Sequence, residues 1–398
     1  MIKTLKIALI VWLIFFVIPV DPIYDFNLFA GLYIGGCYLF FFSGILIYQG
    51  IFRNAEKSNT RFAITTTPNL GVYFYLGVLG MFFRFVDRYY LRGIVLSSDF
   101  DEVLMALDNT SITLIGILGS LLFFFCYIPF LLELLTKRPK WIYFFLFLIP
   151  VIDSILIGQR FQVLTAMVLA LWAFFYYRSI TFKRVISIAV VASLVLGIGV
   201  VLIIIRYMNH GMELYYSLTE SGYAQTLQPT DWILKGQDES IAMFYIKFII
   251  SNMGQYFYHG IYEFSYLMDF NPHIQPKLGQ STFKILYQIT SPLTGFNKDF
   301  WDQLPHKGIY LSYFGLLYVD FGLLGLFFQF IFGALWIHSL RMVKSGQIHY
   351  FLLYSYLSYV IIMMPVTSMI SYGLGNNILT IAFITIAIGN RKFVIRQH

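Results

Sequence analysis

Long apolar runs fill most of the 398 residues, and short basic patches break them at regular intervals. The patches are Lys3 and Lys6; Arg53, Lys57 and Arg61; Lys137, Arg138 and Lys140; Arg178, Lys183 and Arg184; Arg341 and Lys344; and Arg391, Lys392 and Arg396. Together they hold 16 of the 27 basic side chains but, of the 20 acids, only Glu56, with Glu133 at a margin. The other acids fall in the alternate gaps. Basic residues retained on one side while acids occupy the other is the positive-inside pattern of a polytopic inner-membrane protein. A chain sorted this way has its topology and its sidedness specified together.

A residue content that is 59% hydrophobic and 12% charged excludes a soluble globular domain. Roughly 20 apolar residues cross about 30 Å of hydrocarbon, and runs without period-two alternation are helices rather than barrel strands. The expectation is an all-α polytopic integral membrane protein of about ten transmembrane helices. They fall near 6–20, 28–50, 68–88, 110–135, 141–158, 160–177, 185–206, 311–337, 350–370 and 374–390. Both termini are then cytoplasmic. The first run has no small-residue cleavage site before Asp21-Pro22 and reads as a retained span. Cys37 and Cys126 lie inside spans, where apolar packing is their expected role. The net charge of +7 is accounted for mostly by topology and requires no nucleic-acid partner; the basic loops suit an anionic bilayer surface.

The cytoplasmic gaps are too short to fold a nucleotide-binding domain, and no P-loop or dinucleotide fingerprint occurs. Residues 207–310, by contrast, form one long Tyr-rich segment, placed on the periplasmic side by charge parity between helices 1–7 (1–206) and helices 8–10 (311–398). A structureless loop of that length is unusual, so it is expected to be functional or a small domain. Within it, 241–268 is apolar enough to suggest an extra span, but that would place Arg341 and Lys344 outside. Lys247, Ser251, Gln255, His259 and Glu263 recur every fourth residue, a polar stripe on one helix face. The segment reads as an interfacial or re-entrant helix whose stripe faces a wet cavity.

Eleven basic residues remain on the external side. Arg84, Arg88 and Arg92 lie four apart at the end of the third span, with Asp87 beside them. Arg160 sits in GQRF between spans five and six, Arg206 ends span seven with His210 one turn later, and His306 and Lys307 lead into the eighth span, which carries Asp320. Asp153 lies similarly within the fifth. An ionised side chain deep in a span costs at least about 2.5–3.5 kcal/mol, so such residues face a cavity or a partner. Several helix ends delivering arginine to one leaflet suggest a convergent cationic site, and guanidinium is the group that grips phosphate in two-pronged fashion at any relevant pH. The competing reading is that the arginines snorkel or pair with Asp87, Asp99, Asp101, Glu102 or Asp153.

Other motifs carry less. Glu133 and Lys137 form an i,i+4 pair at a helix end. Asp99-Phe100-Asp101-Glu102 has the form of a metal-binding DxD, yet three acids in an external loop are ordinarily just solvated. His273 and His306 lack partners at zinc-ligand spacing, and no GxSxG is present. The expectation is therefore no metal and no cofactor.

With no nucleotide site inside and a phosphate-gripping site outside, the donor must arrive on a membrane-borne carrier. A polyprenyl-diphosphate-linked sugar fits, its glycan stacking on the aromatic rings of the large loop. The ten-span plan, the GQRF hairpin, the single large external loop and the segment HKGIYLSYFGLLYVDFGLLG resemble the bacterial Wzy-type O-antigen polymerases. The resemblance covers most of the chain in layout through short, degenerate motifs. It implies a metal-independent periplasmic transfer of a growing glycan from undecaprenyl diphosphate to a hydroxyl of a fresh lipid-linked repeat unit. It also implies a chain-length regulator as a partner. On this reading Arg160, Arg206, Arg84 and Arg88 hold the departing diphosphate, assisted by Lys307, with Arg92, His210 and His259 lining the substrate site. His306 is the first choice of general base, and Asp299, Asp320 and Glu263 are alternatives. O-antigen ligase transfer to lipid A core, and a non-enzymatic flippase of the same lipid, are the competing functions. Charges crowded at one leaflet favour chemistry over transport.

Overall fold

The structure is a computed structural model. It describes residues 20–56, 70–94, 113–136, 140–156, 160–176, 222–234, 241–271, 274–283, 310–371 and 373–394, with a few single positions besides, Leu304 and His306 among them. These residues are overwhelmingly helical, with one short two-stranded ribbon. The helices are α1 (Leu28–Glu56), α2 (Leu70–Phe85), α3 (Leu114–Leu122), α4 (Tyr127–Thr136), α5 (Trp141–Leu156), α6 (Arg160–Tyr176), α7 (Ile241–Phe270), α8 (Tyr313–Phe321), α9 (Gly325–Lys344), α10 (Phe351–Met363) and α11 (Gly373–Val394). Two compact units share them. One gathers Met1–Ser58, Gly211–His338 and Val360–Asn376; the other gathers Asn59–His210, Ser339–Tyr359 and Asn377–His398.

Four stretches are long and apolar enough to cross a membrane: Leu28–Phe52, Leu70–Leu91, Leu114–Leu135 and Tyr313–Lys344. They coincide with four of the ten expected spans. Four more expected spans appear as shorter apolar helices, Trp141–Ile155, Gln162–Phe174, Ile348–Met363 and Leu374–Gly389. Of the remaining two, 185–206 lies outside the described residues, and 6–20 does so almost entirely. The ninth expected span stops early for a local reason. Pro365 disfavours helical backbone at the residue before it, and α10 ends at Met363. Residues 364–371 continue as buried turns. Their polar backbone is met by protein, since Tyr313 N donates to Met364 O (2.9 Å) and Asn376 Nδ2 to Ile370 O (2.6 Å). Irregular backbone is tolerated within an apolar structure only where partners of this kind replace water.

In the first unit, α1 and α9 approach through reciprocal glycines. A Cβ on Gly44 would stand 2.0 Å from Phe330 O, and one on Gly333 would stand 2.2 Å from Phe41 O. Small residues at such crossings let backbones touch where lipid supplies no hydrophobic drive. The Phe41 ring then packs on Phe332 and on fully buried Trp336. Between α8 and α9 the chain breaks at Gly322, whose φ of +57° and ψ of −137° suit only glycine. Tyr33 Oη donates to its carbonyl at 3.2 Å. The ribbon pairs β1 (Val20–Pro22) antiparallel with β2 (Leu227–Pro229), with Asp21 opposite Gln228.

In the second unit the same device joins α2 to α3. Gly77 and Gly80 lie against the backbone of Cys126 and of Leu122–Phe123, while Gly119 lies against Arg84 N, 2.7 Å from where its Cβ would be. Phe147 of α5 stacks on Tyr127 and Phe130 of α4. The tight connection to α5 is closed by buried Glu133, whose carboxylate accepts Lys140 N at 2.6 Å. Cys37 and Cys126 are both buried with free thiols.

Overpacking of this kind typically costs about 1–3 kcal/mol. Gly44→Ala and Gly333→Ala should each lower the thermal melting temperature in detergent. Gly35→Ala on the same α1, where nothing lies within 4 Å, should hold or raise it. Equal melting of all three variants would count against the glycine crossing.

Candidate functional site

Among the described residues, polar constellations occur in both units. In the second, α2 passes into a π-helical turn at Val86–Leu91, where Arg92 N bonds Asp87 O at 2.9 Å. The wider turn breaks the four-residue register expected of Arg84, Arg88 and Arg92. Arg84 and Arg88 converge on Asp153 of α5: Arg84 Nη2 stands 3.1 Å from Oδ2, and Arg88 Nη1 stands 2.8 and 2.9 Å from the two carboxylate oxygens. Arg92 instead approaches Asp87 at 3.7 Å. Asp87 also accepts from Thr113 Oγ1, while the same hydroxyl oxygen accepts Gly116 N and caps α3. Pairing with Asp153 and Asp87 is what the competing sequence reading anticipated for these arginines.

The pairing is incomplete. Arg84 and Arg88 bring two positive charges to the one negative charge of Asp153, and both guanidinium residues are 7% exposed. Arg84 Nε is buried with no hydrogen-bond partner among the described residues. Its guanidinium carbon lies 4.4 Å over the Phe123 ring, which eases a cation's loss of water.

In the first unit the stripe of α7 turns into the protein. Lys247 is 4% exposed, and Ser251, Gln255, His259 and Glu263 are 0% exposed. The expected wet face is therefore a buried one, partnered in part by neighbouring chain. Lys247 Nζ donates to Trp232 O (3.1 Å), and Gln255 Nε2 donates to Leu227 O on the ribbon (3.0 Å). Elsewhere on α7, Met243, Ile246 and Phe270 are exposed. Segment 20–27 packs on its C-terminal half, with Asn27 N donating to Ser265 Oγ (2.7 Å) and Tyr24 stacking on Tyr266.

At the end of the stripe, His306 Nδ1 faces Glu263 Oε1 at 3.0 Å and Oε2 at 2.9 Å. The imidazole stacks on Tyr266, 4.8 Å between centroids. A carboxylate accepting from Nδ1 fixes the tautomer and leaves Nε2 as the basic nitrogen. Burial raises the Glu263 carboxyl above its ordinary range, and the hydrogen bond from His306 pulls it back in part. One turn earlier, His259 sits among the rings of Tyr223, Tyr256 and Tyr310. Its Nδ1 donates to Tyr256 O at 2.7 Å, and Nε2 is buried without a partner among the described residues. Loss of solvent lowers its pKa to about 4.

Asp320 is held differently. Ser281 N and Oγ and Thr282 N and Oγ1 all donate to it, which ties the 278–283 turn to α8. With four donors satisfied, it is an anchor for backbone rather than an exposed base. Arg160 opens α6, but its side chain lies outside the described residues, as do Arg206, His210, Asp299 and Lys307. The asymmetric use of Asp153 and the Glu263–His306 contact are not visible in spacing, since their partners lie 65 and 43 residues away. The only hint was an acid within an apolar run.

Among the described residues no group of three His, Cys, Asp or Glu side chains could hold a metal ion. No family model matches the chain, and neither do any curated protein or solved structure.

His259 also yields a pH dependence. Its folded pKa lies below the ordinary histidine value of 6.5, so the stability conferred by its neutral form is fully present above that value and is lost as pH falls toward about 4. At about 1.4 kcal/mol per unit, the loss is on the order of 3 kcal/mol. His259→Phe should flatten the melting temperature between pH 6.5 and 4 relative to the wild type. Parallel curves would show that His259 is not held neutral.

Proposed function

We propose that this protein is a multi-pass enzyme of the bacterial inner membrane, both termini cytoplasmic, whose periplasmic side polymerises undecaprenyl-diphosphate-linked oligosaccharide repeat units. The observation that carries the reading is the excess of guanidinium over carboxylate where Arg84 and Arg88 share Asp153. A net positive charge removed from water calls for an anion, and a carrier's diphosphate is one that a nucleotide-free membrane enzyme meets. Four apolar helices of spanning length and the charge sorting of the loops support the membrane setting.

An acceptor hydroxyl gives its proton to His306 Nε2, while Glu263 holds Nδ1–H and steadies the imidazolium that forms. The hydroxyl oxygen bonds to the anomeric carbon, and the bond from that carbon to the diphosphate oxygen breaks with its electron pair. Fixed guanidiniums stabilise the departing charge to the extent that they meet it better in the transition state than before. Arg160, Arg206 and Lys307 belong to the same role by their place in the sequence.

Purified protein in nanodiscs, given lipid-linked repeat units isolated from cells lacking it, should form a ladder of longer glycans without nucleotide or metal. His306→Ala should slow the ladder by about 10²–10⁴-fold. Arg84→Met together with Arg88→Met should abolish it. Offering lipid A core as acceptor distinguishes ligase transfer. Absence of elongation from the correct repeat unit would exclude the polymerase.

A further inference from the structure

Asp153 engages its arginines in an economical way. It meets Arg88 through one nitrogen, Nη1, bridging both carboxylate oxygens, rather than through the paired-nitrogen fork that guanidinium offers. It meets Arg84 through Nη2 alone, and Arg84 Nε stays buried and unpartnered among the described residues. The second nearby acid does not close the gap. Asp87 is occupied by Thr113 Oγ1, faces Arg92 and lies flat against Gly116, where a Cβ would come within 2.5 Å of its carboxylate. The cluster therefore holds more donors and more positive charge than one carboxylate can satisfy.

We propose that Asp153 is the resident counter-ion of an anion seat formed by Arg84 and Arg88, and that a diphosphate takes over these donors by displacing it. A diphosphate presents more acceptor oxygens than a carboxylate and more than one negative charge, which matches both shortfalls. Asp153 is the least enclosed member, its side chain 18% exposed against 9% for each arginine, so it is the one free to swing aside. In the unliganded protein it keeps two buried cations from facing each other unscreened. The cost of displacing it sets a threshold that weakly charged anions do not cross. The choice of diphosphate rests on the function proposed above; the anion seat itself rests on geometry alone.

The test uses the full chain in detergent micelles with inorganic pyrophosphate as the probe, followed by calorimetry and by thermal melting. Asp153→Asn should bind pyrophosphate at least tenfold more tightly than wild type, because the competitor is gone. Arg84→Met should abolish binding in either background. If Asp153→Asn does not fold alone, wild type carries the test: pyrophosphate should raise its melting temperature and leave that of Arg84→Met unmoved. Equal or weaker binding by Asp153→Asn, or no Arg84-dependent shift in wild type, overturns the proposal. A parallel arm compares nanodiscs of phosphatidylglycerol and phosphatidylcholine. Arg84-dependent stabilisation by phosphatidylglycerol with none by pyrophosphate would give the seat to a lipid phosphate and overturn the diphosphate assignment. Pyrophosphate binding without a glycan ladder would remove the polymerase reading and leave the seat standing. A ladder with binding indifferent to Asp153 would do the reverse.

Discussion

A charge that has left water is balanced at contact range, and the Arg84–Asp153–Arg88 cluster is one place where this protein meets that constraint. The surrounding helices are arranged around it. Gly119 brings the backbone of α3 against Arg84 N, and Gly116 brings it against the Asp87 carboxylate. The hydroxyl of Thr113 serves the start of α3 and Asp87 at once. A side chain at either glycine would push α3 outward and open the cluster to its surroundings. The π turn at Val86–Leu91 then sets Arg92 apart from Arg84 and Arg88, and Arg92 faces Asp87 rather than Asp153. Helix packing and charge pairing thus meet at the glycines of α3.

The other unit solves a related problem with neutral and titratable groups. Its long helix α7 hides a polar face, and several partners for that face lie outside the long helices: the ribbon at Leu227, the short turn at Trp232 and His306. Such backbone survives in an apolar setting because it is itself paired, as Ser312 N with Gly260 O shows at 2.9 Å. Gly260 makes this contact possible, since a Cβ there would meet Val366 O at 2.3 Å. Residues 364–366, released from helix by Pro365, therefore help to seat the helix that carries Glu263.

Much of this layout was legible from hydropathy and charge alone. Segment 241–268 was readable as a helix, and it runs from Ile241 to Phe270. Its four-residue stripe was readable too, but not the direction it faces, because burial of the stripe depends on partners brought by β2 and by His306. Hydropathy reads through Met364–Ser371 as though it were helix, since an eight-residue buried turn is as apolar as a span. Arg84, Arg88 and Arg92 looked equivalent by spacing, and only a π turn, which leaves no clear mark in composition, made them unequal. Asp320 looked like an isolated buried acid, and the four donors from Ser281 and Thr282 lie 38 and 39 residues away.

The two constellations differ in kind, and that difference bears on chemistry. Guanidiniums stay charged throughout any physiological range, so arginines offer a permanent field. A histidine oriented by a carboxylate is a group of the other kind, and the stacked ring of His306 is held in that way by Glu263. A transfer that expels a diphosphate needs both properties, permanent charge for the leaving group and reversible charge for the nucleophile. If a single group had to do both, its proton affinity would be a compromise between the two tasks. Arg88 is thus paired with Asp153 for permanence in one unit and His306 with Glu263 for orientation in the other, each in surroundings suited to one task.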